Sequence, residues 1–374
     1  MADLFFFGTL RHLPLLQVVT GRNDISIETA NLPDHEIQAV AHDTFPVLVP
    51  KAGETADGIL VRELTETEVA RLDFYEIGFG FDLHTREVIT PNGPEKAQTY
   101  LADHQSMGAG TTWNLTEWAA KWGDLTTATA HEYMEGFGHI SPELAATRYD
   151  MMATRAWAKL NAGRQQVPSD IRLGPNCDAV TVVAKHRPYS NFFTVIEKDM
   201  QFRRFDGTTS NTVNRAALVS GDAVTVLPYD PVRDVVLLIE QFRYGPFLRG
   251  DHLPWKLEPV AGRIDPGELP QEAVHRELQE EAALTVKSLL HVCNCYPSPG
   301  MITEYLYNFV AIADLPETKA GVAGLASEDE DIKSHVLPFG RAMELISSGE
   351  IETGPLILSL LWLQGQRDVI RSRA

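Results

Sequence analysis

Residues Gly262 to Leu284 constrain this chain more than any other stretch. Pro270 stands where a helix can begin, and the residues after it are rich in Glu, Gln, Ala and Leu, so the second half of the stretch is predicted to be helical. At about 100° per residue, Val274, Leu278 and Ala282 make an apolar stripe, and Glu277, Glu280 and Glu281 crowd an arc of roughly 100° beside it. One face must therefore enter a core. The adjoining face carries like charges that repel by about a few tenths of a kcal/mol per pair, so it needs water or a cation. Hard carboxylate oxygens suit Mg²⁺, which takes one or two carboxylates together with waters and phosphate oxygens.

The 374 residues exceed what one core usually covers, so two domains are expected. A formal charge of −19 argues against a general nucleic-acid or anionic-membrane surface. Any phosphate partner should be small, its charge met locally by metal and a few basic residues. Cys177, Cys293 and Cys295 give neither a disulfide framework nor the paired spacing of a zinc site, which fits a reducing cytoplasm. No basic-then-apolar leader opens the sequence, and no run approaches the ~20 apolar residues of a membrane span, so a soluble protein is expected.

Gly262, five residues, Glu268, seven residues, then Arg276-Glu277-Leu278-x-Glu280-Glu281-x-x-Leu284 resembles the Nudix box. That signature belongs to hydrolases that cleave a nucleoside diphosphate linked to another moiety. Ala283 departs from it, standing where the box usually has Gly. Gly would close the helix in a left-handed cap, so Ala implies a helix that continues or ends differently. The resemblance implies Glu277 and Glu281 as principal Mg²⁺ ligands, joined by the carbonyl of Ala261 and by Glu280, with Mn²⁺ as the alternative ion. It also makes Arg276 an orienting partner of the glutamates.

Around the box, Glu240 to Arg243, Glu258 to Gly262 and Tyr296 to Gly300 resemble the ADP-ribose pyrophosphatase branch, which is marked by a proline sixteen residues beyond position 283, here Pro299. The likeness covers about residues 175 to 370. It implies that Arg243 contacts a phosphate, that Glu258 assists substrate or water, and that Pro299 and Gly300 belong to the substrate loop. Taken alone, Glu258 reads equally well as a paired strand carboxylate. The general base would come from Glu328-Asp329-Glu330-Asp331, with Glu328 first and Glu330 second; by composition alone that run is a solvated loop. The implied reaction is Mg²⁺-dependent hydrolysis of ADP-ribose to AMP and ribose 5-phosphate. Alternatives are NADH, GDP-mannose or a diadenosine polyphosphate as substrate, or an ADP-ribose sensor that does not cleave. The branch also implies a homodimer exchanging strands from Cys177 to Phe205, and the tandem arrangement is similar to Nudix proteins associated with tellurite resistance.

At the other end, Leu4 to Phe7 reads as a buried strand entering Gly8-Thr9-Leu10. Apolar runs recur at Ile25 to Ile27, Glu36 to Ala41, Gly58 to Val61 and Glu87 to Ile89, and Thr65 and Glu68 are spaced as a helix capping box. Phe7-Gly8-Thr9-Leu10 and Leu72-Asp73-Phe74-Tyr75-Glu76 resemble the γ-glutamylcyclotransferase-like family over roughly residues 3 to 103. That likeness implies a small β-barrel with helices, a turn whose Gly8, Thr9 and Leu10 N–H groups hold substrate, and Glu76 as proton shuttle. Phe7 replaces the family's Tyr and lacks its hydroxyl, so ligand binding or scaffolding is favoured over catalysis.

Between the ends, Asn114 with Glu117 caps a stretch carrying Trp113, Trp118 and Trp122, and Ser141-Pro142 opens a helix expected to run through Trp157 to about Gly163. Residues 104 to 163 read as a helical layer coupling two domains, with a linker at Arg164 to Pro175. Apolar runs at Ala179 to Val183, Phe192 to Ile196 and Phe202 to Phe205 suggest strands preceding the Nudix core, which continues at Ala223 to Pro228 and Val235 to Ile239. The expected division is 1–103, 104–170 and 171–374. The fold class is α+β: a small barrel, then a helical segment, then an α-β-α layering with a mixed sheet and the box helix.

Overall fold

The computed structural model describes residues 1–41, 43–103, 109–166, 168–172, 179–315, 322–323 and 331–373. The chain divides into two compact units, Met1–Arg164 and Gln165–Ala374.

The first unit opens with β1 (Ala2–Phe6) and α1 (Leu13–Thr20), then β2 (Ile27–Val40) and β3 (Pro46–Leu64). Next come α2 (Glu66–Glu76), β4 (Asp82–Thr90), β5 (Gly93–Leu101) and β6 (Ala109–Thr112). β3 pairs antiparallel with both β1 and β2, so the order β3-β1-β5-β4-β2 closes on itself as a five-strand barrel, with β6 added outside β2. β2 and β3 are far longer than the apolar runs expected there. Their polar stretches still pair in register, from Ile27↔Val61 out to Ala39↔Pro46, with a shift at Asp34, whose φ is 56°. Thr65 does cap α2: its Oγ1 accepts from Glu68 N at 3.3 Å while Glu68 accepts from Thr65 N at 2.7 Å.

The helices that follow belong to this unit. They are α3 (Leu115–Trp118), α4 (Asp124–Tyr133), α5 (Pro142–Ala146) and α6 (Tyr149–Arg164). Trp118, Tyr133, Ala145 and Met152 are buried in the same core as Leu4, Phe5 and Leu72. The helix expected from Ser141 to Gly163 is broken after Ala146, where the Thr147 hydroxyl donates to the Leu144 carbonyl at 2.9 Å and competes with the backbone ladder.

The second unit begins with β7 (Val180–Ser190), β8 (Thr194–Phe202) and β9 (Val213–Val219), a separate three-stranded sheet. Phe192 and Phe193 fall in the turn before β8, and the third strand lies eleven residues beyond the Phe202 expected to start it (213 − 202). The main sheet is built from β10 (Ala223–Asp230), β11 (Val235–Phe242), β12 (Trp255–Glu258), β13 (Val260–Arg263), β14 (Ser288–Cys295), β15 (Leu306–Ile312), β16 (Val322–Ala323) and β17 (Ile332–Pro338). Its order is β14-β15-β10-β11-β17-β16, with β12 beside β11 and β13 beside β10, and the β10–β15 pair is parallel, so the sheet is mixed. The helices are α7 (Tyr244–Arg249), α8 (Pro270–Ala282), α9 (Phe339–Ser348) and α10 (Gly354–Arg371). Leu227, Tyr229, Val236 and Leu238 face α9 and α10 in one core, and the alternate β10 positions Val224 and Val226 are buried toward the opposite face. α8 packs against β10 and β13, with Val274 and Leu278 fully buried.

Ala283 ends α8 in the left-handed conformation, φ 51° and ψ 38°, with its N–H on the Gln279 carbonyl at 3.2 Å. The expectation that Ala excludes such a cap is therefore corrected: the capping bonds and the burial of Leu284 hold an L residue in a region that costs it roughly 1–2 kcal/mol. Ala283→Gly should stabilise the chain by about 1 kcal/mol and raise the unfolding midpoint of this unit by roughly 2–4 °C. Calorimetry showing an unchanged or lower midpoint would mean the cap carries no strain.

Candidate active site

Strand pairing builds one wall of the site. Ala261 and Gly262 lie opposite Thr225 and Val224, and α8 crosses them. A Cβ added to Gly262 would stand 1.7 Å from Glu277 Oε1 and 2.0 Å from its Cδ, so only glycine leaves space for that carboxylate. One turn further, Glu281 accepts the Ala261 N–H at 3.2 Å. Glu277 and Glu281 are buried, while Glu280 is half-exposed at the edge of the same helix face.

Arg276 is the cation of this acidic cluster. Its Nη1 donates to Glu277 at 2.7 Å and Glu280 at 3.3 Å, its Nε and Nη2 donate to Glu268 at 3.1 and 3.0 Å, and Nη2 also reaches the Arg263 carbonyl at 2.8 Å. Burial pulls the guanidinium pKa down, but the Glu268 hydrogen bonds and the charges of Glu277 and Asp265 outweigh it and hold the pKa above its ordinary value. Glu268 also accepts the Asp265 N–H at 3.0 Å, so one carboxylate anchors both Arg276 and the loop leading to α8.

Among the described residues, no group of three or more His, Cys, Asp or Glu forms a ready-made metal cage. The donor set still suits Mg²⁺. It offers only oxygen, with two buried carboxylates against a strand whose Gly262 makes room for the Glu277 head, and Mg²⁺ completes its shell from waters and phosphates.

Arg243 follows β11 and places both Nε and Nη2 2.7 Å from Glu258 Oε2, at the end of β12. This pairing holds the guanidinium plane while leaving 41% of the side chain open to solvent. Glu304, which no motif singled out, lies within electrostatic reach of Arg243 and Arg263; burial raises its carboxyl and the two cations oppose that rise. Asp222, 6% exposed, is pushed up to about 7 by burial, against a backbone hydrogen bond from Tyr305 and with the Glu304 charge adding to the rise. The signal for this acidic pair is the register, in which Ala223 lies between Arg263 and Leu306. Pro299 and Gly300 form an exposed turn, in which the Met301 and Ile302 N–H groups reach the Ser298 carbonyl at 3.0 and 3.1 Å. Among the described residues, no hydrogen bond or ion pair joins that turn to Arg243 or α8. Glu328 and Glu330 lie outside the described residues.

In the first unit, Gly8 leads into a 3₁₀ turn, Thr9–Arg11, with Phe7 and Leu10 buried. Glu76 ends α2 among tyrosines: Tyr75, Tyr100 and Tyr133 all feel its charge, and Tyr100 donates to Asp73 at 2.7 Å. Burial pushes the Glu76 carboxyl up to about 8. Among the described residues, no hydrogen bond connects it to Gly8, Thr9 or Leu10.

A carboxylate-lined helix set against a glycine-bearing strand in a mixed sheet is the arrangement of a Nudix pyrophosphohydrolase. Residues 219–350 match the NUDIX domain family, and residues 4–120 match the family described as gamma-glutamyl cyclotransferase, AIG2-like. The chain is 36% identical over 187 residues to an ADP-ribose pyrophosphatase of Haemophilus influenzae, an alignment spanning 50% of this chain and 86% of that one. It is likewise 36% identical over 193 residues to an ADP-ribose pyrophosphatase of Escherichia coli K12, with 52% and 91% spanned. A GDP-mannose pyrophosphatase of Escherichia coli O1:K1 is 32% identical over 185 residues, with 50% and 95% spanned. The chain belongs to the Nudix family, its hydrolase unit fused to an N-terminal AIG2-like domain.

The Glu76 carboxyl provides a pH test. Its folded pKa of about 8 lies above the ordinary 4.5, so the stability contributed by its protonated form is full below about 4.5 and is lost as pH rises through about 8. Unfolding midpoints measured from pH 4.5 to 9 should fall for the native chain relative to Glu76→Gln. A difference that stays constant across that range would contradict a half-buried Glu76 that holds its proton to about pH 8.

Proposed function

We propose that the C-terminal unit hydrolyses the pyrophosphate of ADP-ribose to AMP and ribose 5-phosphate, with Mg²⁺ as its metal and Mn²⁺ as a substitute. The observation that carries this reading is the burial of Glu277 and Glu281 against Ala261 and Gly262, with Arg276 holding the Glu277 head and the Ala261 N–H bonded to Glu281. The ADP-ribose pyrophosphatases at 36% identity support the substrate. When bound, the metal neutralises the diphosphate and acidifies the attacking water.

The chain's own residues supply orientation and proton transfer. Glu277 and Glu281, with Glu280 and the Ala261 carbonyl, hold the ion. Arg243, its plane fixed by Glu258, offers its open edge to a phosphate, a geometry suited to two oxygens at once. Pro299 and Gly300 border the substrate, and Glu328, with Glu330 as second choice, takes the proton of the water. In the first unit, Glu76 and the Gly8-Thr9-Leu10 turn hold a ligand. Of the division 1–103, 104–170 and 171–374, we keep 171–374 as the hydrolase partition and assign the helices up to Arg164 to the first unit, whose core they share; the setting is the cytoplasm, and the working state is a homodimer. Val180, Val182, Val183 and Tyr189 are exposed on the β7–β9 sheet and would be covered by the second copy.

The GDP-mannose pyrophosphatase relative at 32% identity supports a second reading, in which the sugar nucleotide differs. A panel of ADP-ribose, GDP-mannose, NADH and diadenosine polyphosphates with Mg²⁺ separates the two; ADP-ribose should give the highest kcat/KM, and a tenfold preference for another compound would reassign the substrate. Binding of ADP-ribose without turnover would mark a sensor. Glu281→Gln should lower kcat by about two orders of magnitude or more with the fold intact, since it removes a buried charge that steadies the metal. Gly262→Ala should lower activity too, because the new Cβ displaces the flexible Glu277 head rather than the backbone. Near-native turnover in either variant, with a native circular-dichroism spectrum, would remove that residue from the site.

A further inference from the structure

Three arginines stand at the hydrolase site, and they are used differently. Arg276 spends its donors on Glu268, Glu277, Glu280 and the Arg263 carbonyl, and Arg243 sets two of its nitrogens against Glu258. The Arg263 guanidinium makes no hydrogen bond and no ion pair among the described residues. Its contact is with a ring: Cζ lies 4.6 Å from the centroid of Phe192, in the turn before β8. Stacking on one face sets the plane of the fork and leaves its edge N–H groups unspent, the edge with which a guanidinium takes two phosphate oxygens.

Position is the second observation. Among the described residues β13 pairs with β10 alone, so one of its edges is free of strands. That edge carries the acidic cluster: the Ala261 N–H donates to Glu281, and the Arg263 carbonyl accepts from Arg276. Arg263 ends β13, roughly 7 Å along an extended strand from Ala261, whose carbonyl is proposed as a metal ligand. Glu304 relates it to Arg243, since both cations lie within electrostatic reach of that one carboxyl. The segment bearing Glu304 is anchored by the Thr303 N–H on the Leu218 carbonyl at 3.0 Å and by the Ser220 N–H on the Thr303 hydroxyl at 3.1 Å. The two guanidinia therefore border a common space. Burial raises the Glu304 carboxyl toward its neutral form, so two positive charges face at most one negative charge there.

We propose that the Arg263 side chain is a second phosphate grip of the hydrolase site, closing on the phosphate of the nucleoside diphosphate that Arg243 does not hold, with Phe192 setting the plane of its fork. This rests on the pyrophosphatase reading and adds to it a substrate-binding residue outside the carboxylate cluster. Calorimetry of the full chain with inorganic pyrophosphate in Mg²⁺ tests it without turnover, and steady-state kinetics on the panel compound that the native chain cleaves fastest tests it with turnover. Arg263→Gln should weaken pyrophosphate binding and raise KM by about tenfold or more, the worth of hydrogen bonds between charged groups, while kcat changes by less than about threefold. Arg263→Lys, which keeps the charge and loses the fork, should fall between the native chain and Arg263→Gln. Phe192→Leu should raise KM by roughly two- to fivefold through the lost stacking. Pyrophosphate affinity and KM both unchanged in a folded Arg263→Gln overturn the grip and leave the pyrophosphatase reading standing, and a native chain that does not bind pyrophosphate overturns the grip as well. A native chain that cleaves nothing in the panel, yet binds pyrophosphate less tightly once Arg263 is replaced, overturns that reading and leaves the grip standing. Should Arg263→Gln fail to fold, Arg263→Lys decides.

Discussion

The C-terminal unit depends on how one guanidinium is shared. Arg276 meets Glu268, Glu277, Glu280 and the Arg263 carbonyl at once, so the loop, the strand and the helix converge on a single cation. Without it, Glu268, Glu277 and Glu280 would be neighbouring like charges, and their mutual repulsion would loosen the helix face from the strand. Glu268 takes two of the donors, Nε and Nη2, and the remaining Nη1 steadies the Glu277 and Glu280 heads. The cluster is thus held together by its own internal cation.

The regular spacing of this cluster is why it was legible in the sequence. Helical periodicity placed Val274 and Leu278 in the core and the glutamates beside them, and the cap at Thr65 followed from a local rule that tertiary packing left untouched. The Ala283 cap escapes a propensity argument because the capping bonds to Gln279 and Leu278 offset the cost of the left-handed conformation. Asp222 and Glu304 were invisible for a different reason. They are far apart in sequence and are brought together only by the pairing of β10 with β13 and β15, a long-range register that no local pattern encodes.

The strands of the first unit show the same limit from another side. Sequence alternation marked only the apolar inner portions of β2 and β3, whereas their pairing runs on through polar residues because a hairpin, once in register, continues wherever both backbones stay extended. The tryptophan-bearing helices were recognised as buried, and Trp118 and Tyr133 do enter a core. Which core they join is a tertiary fact: they complete the barrel unit rather than standing as a layer of their own.

The closure of that barrel has a consequence for the architecture of the chain as a whole. Because β3 bonds to β1 on one side and β2 on the other, the ring satisfies its own backbone and does not need a neighbouring domain to finish its sheet. A module that is complete in this sense can be fused to a hydrolase without lending it a strand or borrowing one, much as a sealed cartridge works in whatever housing receives it.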